Sequence, residues 1–296
     1  MDPGKQRPTT DELAAALKAL RPLPDVAHRV LRIVQDPEYD VGELTGVVFS
    51  DPSLTARVLR LCNSAHSGLG AEIRSVHDAV SYLGMRNVVR LVLVTCSASL
   101  YAVERRTAWF DPAALWQHAI AFAVTCQVLA PLAGASTATA FTAGVLHDVG
   151  IMLLDHLTDG AEVAAATNRA RGHGWTQPQF ERACFGLDHA AANRFVAAQW
   201  RLPAWLAEAL ADHHSEAAPA GATGTLPAIV HTAEHLVAGI VPDPTWGPNC
   251  PAMALADWAR ARLRLDDTTL ETVRTRASEE TAALAELLNM QGSRSR

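Results

Sequence analysis

The chain has 296 residues, of which 49% are hydrophobic and 19% are charged, and its formal net charge is −6. This length allows one large domain or two smaller ones, each with its own hydrophobic core. The acidic balance excludes the basic surface that a general nucleic-acid-binding protein needs, so direct DNA binding is not expected. The five cysteines are scattered without a CxxC pair, which argues against a zinc ribbon or a disulfide framework and fits a reducing cytoplasm.

The N-terminal segment, residues 1–14, is polar and contains two early prolines, which is not the pattern of a signal peptide. The longest apolar stretches are residues 88–103 and 119–135. The first contains Arg90, and the second contains Gln127 and Pro131. Because neither is a clean run of about 20 apolar residues, both are predicted to be buried helices. We therefore expect a cytoplasmic protein that does not enter a membrane.

Apolar residues recur at helical spacing along nearly the whole chain, and no convincing run alternates as a strand would. The predicted fold class is all-α. The first residues, to about 105, read as a bundle of short helices, beginning with a helix capped at Thr10 before Asp11 and Glu12. A second group starts at Asp111-Pro112, with helices predicted at 113–130, 137–157, 159–172, 176–184, 188–200, 203–215 and 226–241. A Pro/Gly-rich connector over 241–251 precedes two amphipathic helices, at 252–263 and 266–290.

Five of these predicted helices place a histidine or an acid on the stripe that should face the core. The residues are His118, the adjacent His147 and Asp148, His189, the pair His213 and His214, and Glu234. A single core-facing histidine is usually satisfied by its neighbours, but glutamate is almost never fully buried unless it is paired. Convergence of all five helices on one point explains the pattern economically. Imidazole nitrogens and carboxylate oxygens are ligands for Zn, Fe, Mn or Ni; a buried hydrogen-bonded network without metal is the alternative.

Four further residues are weaker candidates. His231 and His235 are spaced i, i+4, on a face of their predicted helix that differs from that of Glu234. His231 could support a metal ligand, and His235 is expected to be solvated. Arg90, with Arg86 one turn away, could bind a phosphate, but a solvated or ion-paired role is favoured.

The order and spacing of the core-facing residues resemble those of the HD superfamily of metal-dependent phosphohydrolases. A finer resemblance is to the HDOD family, the HD-related output domain of bacterial signalling proteins. Residues 20–68 are similar to the N-terminal signature of that family, with Asp51-Pro52 and Cys62-Asn63-Ser64 in place. The segments SVHDAVSYLGMRNVVRLVL, TAGVLHDVGIMLL and FGLDHAAANRFVAAQWRLPAWLAEALADHH follow in family order.

The resemblance implies a two-lobed helical domain over residues 15–240. Residues 15–108 would form an N-terminal helical lobe, residues 109–240 an HD-like lobe, and residues 241–296 a connector with C-terminal helices. At positions that match HD-type ligands, the chain carries His118, His147, Asp148, His189, His213 and His214. The implied cofactor is a divalent metal, either one ion or a pair. Glu234 stands where active relatives have aspartate, and its side chain is one methylene longer.

Two departures weigh against a familiar enzyme. Active phosphodiesterases of the related HD-GYP group carry lysine where this chain has Ile151, and they carry a Gly-Tyr-Pro segment that is absent after His214. A phosphodiester hydrolase needs charge beyond the metal to stabilise the developing oxyanion, and Ile151 cannot supply it.

The resulting expectation is a bacterial signalling module that binds a divalent metal and acts by binding a protein partner, or a nucleotide or other phosphate-containing ligand. A metal-dependent phosphohydrolase acting on a nucleotide or cyclic dinucleotide is the first alternative. A scaffold with an inert polar network is the second.

Overall fold

The computed structural model describes residues 6–20, 23–36, 40–65, 73–102, 110–157, 161, 163, 175–211, 213–218, 225–241 and 253–289. Within these ranges the chain forms helices joined by short loops, with no β-strand. The prediction of an all-α fold is therefore confirmed. Of the predicted helix over 159–172, only positions 161 and 163 belong to the described residues.

Short helices form the N-terminal part of the structure, and side-chain caps fix where several of them begin. They are α1 (Thr10–Ala19), α2 (Asp25–Val34), α3 (Val41–Phe49), α4 (Pro52–Ala65), α5 (Val76–Leu83) and α6 (Met85–Tyr101). Thr9, and not the predicted Thr10, caps α1 through a capping box with Glu12. Ser75 and Asp78 cap α5 in the same way. Each box pairs backbone N–H groups that the first helical turn leaves unsatisfied.

The second part of the structure begins at α7, whose first proline follows the Asp111 cap as predicted. The helices are α7 (Pro112–Leu129), α8 (Thr137–Leu146), α9 (Val149–Asp155), α10 (Gln177–Phe185), α11 (His189–Gln199), α12 (Ala204–Ala211), α13 (Leu226–Val237), α14 (Asp257–Leu263) and α15 (Asp267–Asn289). The single helix predicted over 137–157 is wrong, because the chain breaks at His147 and Asp148. Asp148 adopts φ −105° and ψ 14°, outside the helical region.

Helix α7 lies at the centre of this second part and is almost entirely buried. It packs against α8, α13 and α15. Gly144 permits the close approach of α8, since a Cβ atom there would lie 2.5 Å from the Cα atom of Ala123 on α7. Only glycine fits at such a backbone contact. The approach brings the middle of α7 beside the break after α8.

The C-terminal helix α15 is part of the packed structure. It lies against α7 and also against α4 of the N-terminal part. Glu280 on α15 forms an ion pair of 3.5 Å with Arg90 on α6. Arg90 therefore takes the ion-paired role, and Arg86 is exposed.

Two stretches are long and apolar enough to cross a membrane, Pro112–Ala133 and Thr137–Asp155. In the most apolar 18 residues of each stretch, 78% of the first and 89% of the second are buried inside the protein. Such burial is typical of core helices in a soluble protein.

Candidate metal centre

Six of the seven predicted ligands converge where several helices begin, break or end. His118 comes from α7, His147 and Asp148 from the break between α8 and α9, and His189 from the first residue of α11. His213 and His214 follow the end of α12. The first five side chains are buried, and His214 is half-buried. Five of the six side chains thus lie at a helix end or break, and His118 comes from the interior of α7.

The first cluster, called group A, consists of His118, His147 and Asp148. Its three ligand atoms all lie within 4.8 Å of one another. The Oδ2 atom of Asp148 is 3.1 Å from His147 Nε2 and 3.6 Å from His118 Nε2. A single cation between these atoms would contact all three residues.

The second cluster, called group B, consists of His189, His213 and His214 and meets the same 4.8 Å limit. The Nε2 atom of His189 lies 2.9 Å from that of His213 and 2.8 Å from that of His214. The Oδ1 atom of Asp148 is 3.4 Å from His189 Nε2 and 3.8 Å from His213 Nε2. Asp148 thus turns one carboxylate oxygen toward each group.

Hydrogen bonds on the outer ring nitrogens fix the tautomers of three histidines. The Nδ1 atom donates to the Gly144 carbonyl in His147 (2.8 Å) and to the Leu210 carbonyl in His213 (2.9 Å). In His189 it donates to the Glu181 carboxylate, at 2.6 Å. Because these oxygens can only accept, Nδ1 carries the hydrogen and a neutral ring presents the Nε2 lone pair inward.

With every ring neutral, the inward-facing atoms would be acceptors crowded against acceptors. The Nε2 atom of His147 faces the Asp148 carboxylate but is buried without a hydrogen bond, and His118 Nδ1 is also buried without one. Lone pairs at these separations repel unless a proton or a cation lies between them. Five imidazoles and one carboxylate match the ligand sets of Zn, Fe, Mn and Ni, so the residues present fit a divalent metal.

Burial keeps most of the histidines neutral. It lowers the pKa of His118 to about 4, despite the opposing effect of the Asp148 carboxylate. Burial, reinforced by neighbouring histidines, also holds the pKa values of His213 and His214 well below the ordinary value. Neutral imidazole is the form that binds a metal, because the protonated ring has no free lone pair.

The two charged members behave differently. Burial raises the pKa of Asp148, but His147, His189 and His118 outweigh it and hold that pKa well below its usual range. Burial lowers the pKa of His189, but the Glu181 carboxylate outweighs it and raises that pKa to about 10. Without metal, a proton on His189 compensates the buried negative charge that a cation would otherwise compensate.

Two supporting residues escaped the sequence analysis. Glu181 on α10 is fully buried and binds both the ring and the backbone N–H of His189. Asn193 on α11 accepts from the Gly150 N–H at 2.7 Å and donates to the carbonyls of His147 and Leu210. Glu181 had a detectable signal, since it shares a helix face with a buried phenylalanine four residues later. Asn193 shares a helix face with His189, four residues earlier, but its partners come from segments distant in the sequence.

The three remaining candidates differ in how they relate to the two ligand groups. His231 donates its Nδ1 hydrogen to the His213 carbonyl at 3.0 Å, as a supporting residue would. Glu234 is half-buried on α13 and belongs to neither group among the described residues; its charge nevertheless acts on His189. The prediction that His235 is solvated is wrong: it is half-buried and its Nδ1 lies 2.9 Å from the Met253 carbonyl.

The sequence is similar to a known domain family and to a curated relative. The HDOD domain model matches residues 20–216, more than half of the chain. A curated relative, an uncharacterized protein of Treponema pallidum (strain Nichols), is 22% identical over 222 residues. That match covers 71% of this chain but 41% of the relative, so the chain spans about two fifths of the length of the relative it matches.

Solved structures share the fold. An HDOD domain protein with unknown function from Geobacter sulfurreducens is 23% identical, with TM-score 0.65, and the match covers 96% of this chain and 95% of the other. A "putative phosphohydrolase" from Shewanella amazonensis SB2B is 24% identical, with TM-score 0.63 and coverage of 93% and 98%. A "putative signal transduction protein" from Marinobacter aquaeolei VT8 is 21% identical, with TM-score 0.72 and coverage of 97% and 65%. By its sequence match, and with a fold that agrees, the chain belongs to the HDOD domain family.

Proposed function

We propose that this protein is a regulatory module of bacterial cytoplasmic signalling whose HD-like lobe binds a pair of divalent cations. It acts by binding a protein partner or a small phosphate-containing ligand. The observation that carries the proposal is the convergence of groups A and B on the two oxygens of Asp148. A carboxylate between two clusters of neutral imidazoles is suited to a metal pair of Fe, Mn, Zn or Ni.

Binding is favoured over turnover by what surrounds the centre. His118 is 7% exposed and Asp148 5% exposed, so a phosphodiester has little direct access to the ligand atoms. Ile151, where related phosphodiesterases have lysine, is fully buried and offers no charge to a developing oxyanion. The relative described as a signal transduction protein agrees with a regulatory role.

A metal-dependent phosphohydrolase is the second candidate, favoured by the six candidate ligands that converge. A bound metal pair would supply Lewis-acid stabilisation of charge on a phosphoryl group. The relative described as a phosphohydrolase is consistent with this reading. In that case the substrate would be a nucleotide or cyclic dinucleotide.

Hydrolysis of bis-p-nitrophenyl phosphate separates the two candidates. The protein is loaded with Mn²⁺, Fe²⁺ or Zn²⁺ and compared with the double variant His147→Ala, Asp148→Ala. Metal uptake by the wild type without turnover above the double variant is the expected result. Turnover that the double variant lacks would establish the phosphohydrolase, and a wild type that takes up no metal would leave the inert scaffold. A thermal-shift screen of nucleotides against the metal-loaded protein tests the ligand-binding role.

A further inference from the structure

Glu181 places a carboxylate directly behind one of the two ligand groups. Its side chain is 0% exposed. It accepts hydrogen bonds from the ring Nδ1 of His189 at 2.6 Å, from the His189 backbone N–H at 2.8 Å and from Gln177 Nε2 at 3.1 Å. A buried carboxylate is costly unless it is paired and hydrogen-bonded, and here two of the three bonds go to one residue.

The two bonds to His189 constrain its ring. The backbone bond fixes the start of α11, and the ring bond keeps the hydrogen on Nδ1. The Nε2 atom is thereby directed at His213 and His214. A carboxylate partner also makes an imidazole a stronger metal ligand, and the loss of such a partner typically weakens metal binding.

Group A has no equivalent support among the described contacts. The outer nitrogen of His147 donates to a neutral backbone carbonyl, that of Gly144. His118 Nδ1 is buried without a hydrogen-bond partner. The two groups share the Asp148 carboxylate, and Glu181 adds to group B a carboxylate that is hydrogen-bonded directly to one of its ligands.

We propose that Glu181 is a positioning residue for the group B cation, and that it makes group B the tighter of two metal positions. The proposal rests on the proposed function, because it requires that the centre bind divalent cations. The ligand is the divalent cation itself. The side chain of Glu181 acts through His189 and does not contact the metal.

Metal titration of Glu181→Gln tests the proposal. The amide can still accept from His189 but carries no charge. Chelator-treated protein is dialysed against graded free Zn²⁺ or Mn²⁺, and bound metal is counted per chain. We expect two positions in the wild type, and in the variant about 10- to 100-fold weaker binding at the tighter one with the other unchanged. Glu208→Gln, at an exposed position on α12, is the matched control and should bind as the wild type does.

The other outcomes separate the proposals. Equal binding by Glu181→Gln and the wild type would overturn the role of Glu181 while leaving the metal centre intact. Equal weakening of both positions would also overturn it. A wild type that binds no metal would refute the proposed function and this inference together. A purely structural role would lower the thermal stability of the metal-free variant and leave the affinity at each position unchanged.

If Glu181→Gln does not fold, the wild type still decides the question. Nitrogen-15 NMR of the histidine rings in zinc-loaded protein reports which ring nitrogen carries hydrogen. We expect His189 to be protonated at Nδ1 and metal-bound at Nε2. Binding of the metal through Nδ1, or a ring without metal, would overturn the proposal.

Discussion

Replacing Asp148 with asparagine, which has nearly the same shape, should weaken both metal positions at once. Its Oδ2 atom lies 3.1 Å from His147 Nε2, and its Oδ1 atom lies 3.4 Å from His189 Nε2. It is the anionic member of either ligand group. Asparagine keeps the volume but loses the charge and one acceptor oxygen, so both positions should weaken together.

The expected size of the metal-dependent gain in stability follows from the linkage between metal binding and folding. At free metal 100-fold above the Kd, each cation stabilises the fold by about 2.7 kcal/mol, so a pair contributes about 5.4 kcal/mol. For a chain of 296 residues, roughly 1.6 °C in Tm per kcal/mol predicts a rise of about 9 °C on metal addition. Weakening each position about 100-fold, the upper end for loss of a supporting residue, leaves about 0.4 kcal/mol per cation. The rise in Tm should then fall to about 1 °C.

Differential scanning fluorimetry with and without metal, after chelator treatment, measures both numbers. Asp25→Asn, at an exposed position on α2, is the control and should keep the full increment. A metal-dependent rise in Asp148→Asn equal to that of the wild type would refute the placement of Asp148 between two cations. Loss of half the increment would mean that Asp148 serves only one position.

Three further results are expected. Burial lowers the pKa of His118 to about 4, while Glu181 outweighs burial and raises that of His189 to about 10. The metal-free protein should therefore be most stable near the ordinary histidine pKa of 6.5. It should lose stability toward pH 4, because the unfolded chain binds more protons than the folded protein, and toward pH 10, because the folded protein releases the His189 proton. Urea midpoints that do not change between pH 5 and 9 would contradict this. Gly144→Ala should lower the free energy of unfolding by about 1–3 kcal/mol, because it forces α7 and α8 apart. Gly46→Ala, which has open space around it on α3, should raise that free energy by about 0.5–1 kcal/mol. Urea unfolding measures both changes. Leu284→Ala on α15, at a fully packed position, should cost about 2–5 kcal/mol, and a neutral result would mean that the C-terminal helix is not integral to the fold.

Much of the fold was predictable because helical periodicity and capping signals are local. The starts of α7 and α11 follow directly from Asp111-Pro112 and Asp188. The break at His147-Asp148 was not predictable, since the surrounding residues are apolar and favour an unbroken helix. Tertiary contacts determine it, through the Asn193 bonds to His147 and Gly150.

The convergence of six polar side chains was predictable for a different reason. Histidines and an aspartate on apolar stripes are costly unless they meet, and six of them do meet. Glu234 passed the same sequence test but lies outside both groups, because a stripe does not specify how far along its helix the centre sits. Glu181 was missed although it is the most deeply buried acid near the site. Its role depends on the turn that brings His189 back onto α10.

The number of metal ions per chain tests the central claim most directly. The protein is expressed without a polyhistidine tag, purified without chelator and measured by inductively coupled plasma mass spectrometry, beside the double variant His147→Ala, Asp148→Ala. We expect about two Fe, Mn, Zn or Ni ions per chain in the wild type and near none in the double variant. Less than ~0.1 ion per wild-type chain, with no uptake when Mn²⁺, Fe²⁺ or Zn²⁺ is added, would contradict it.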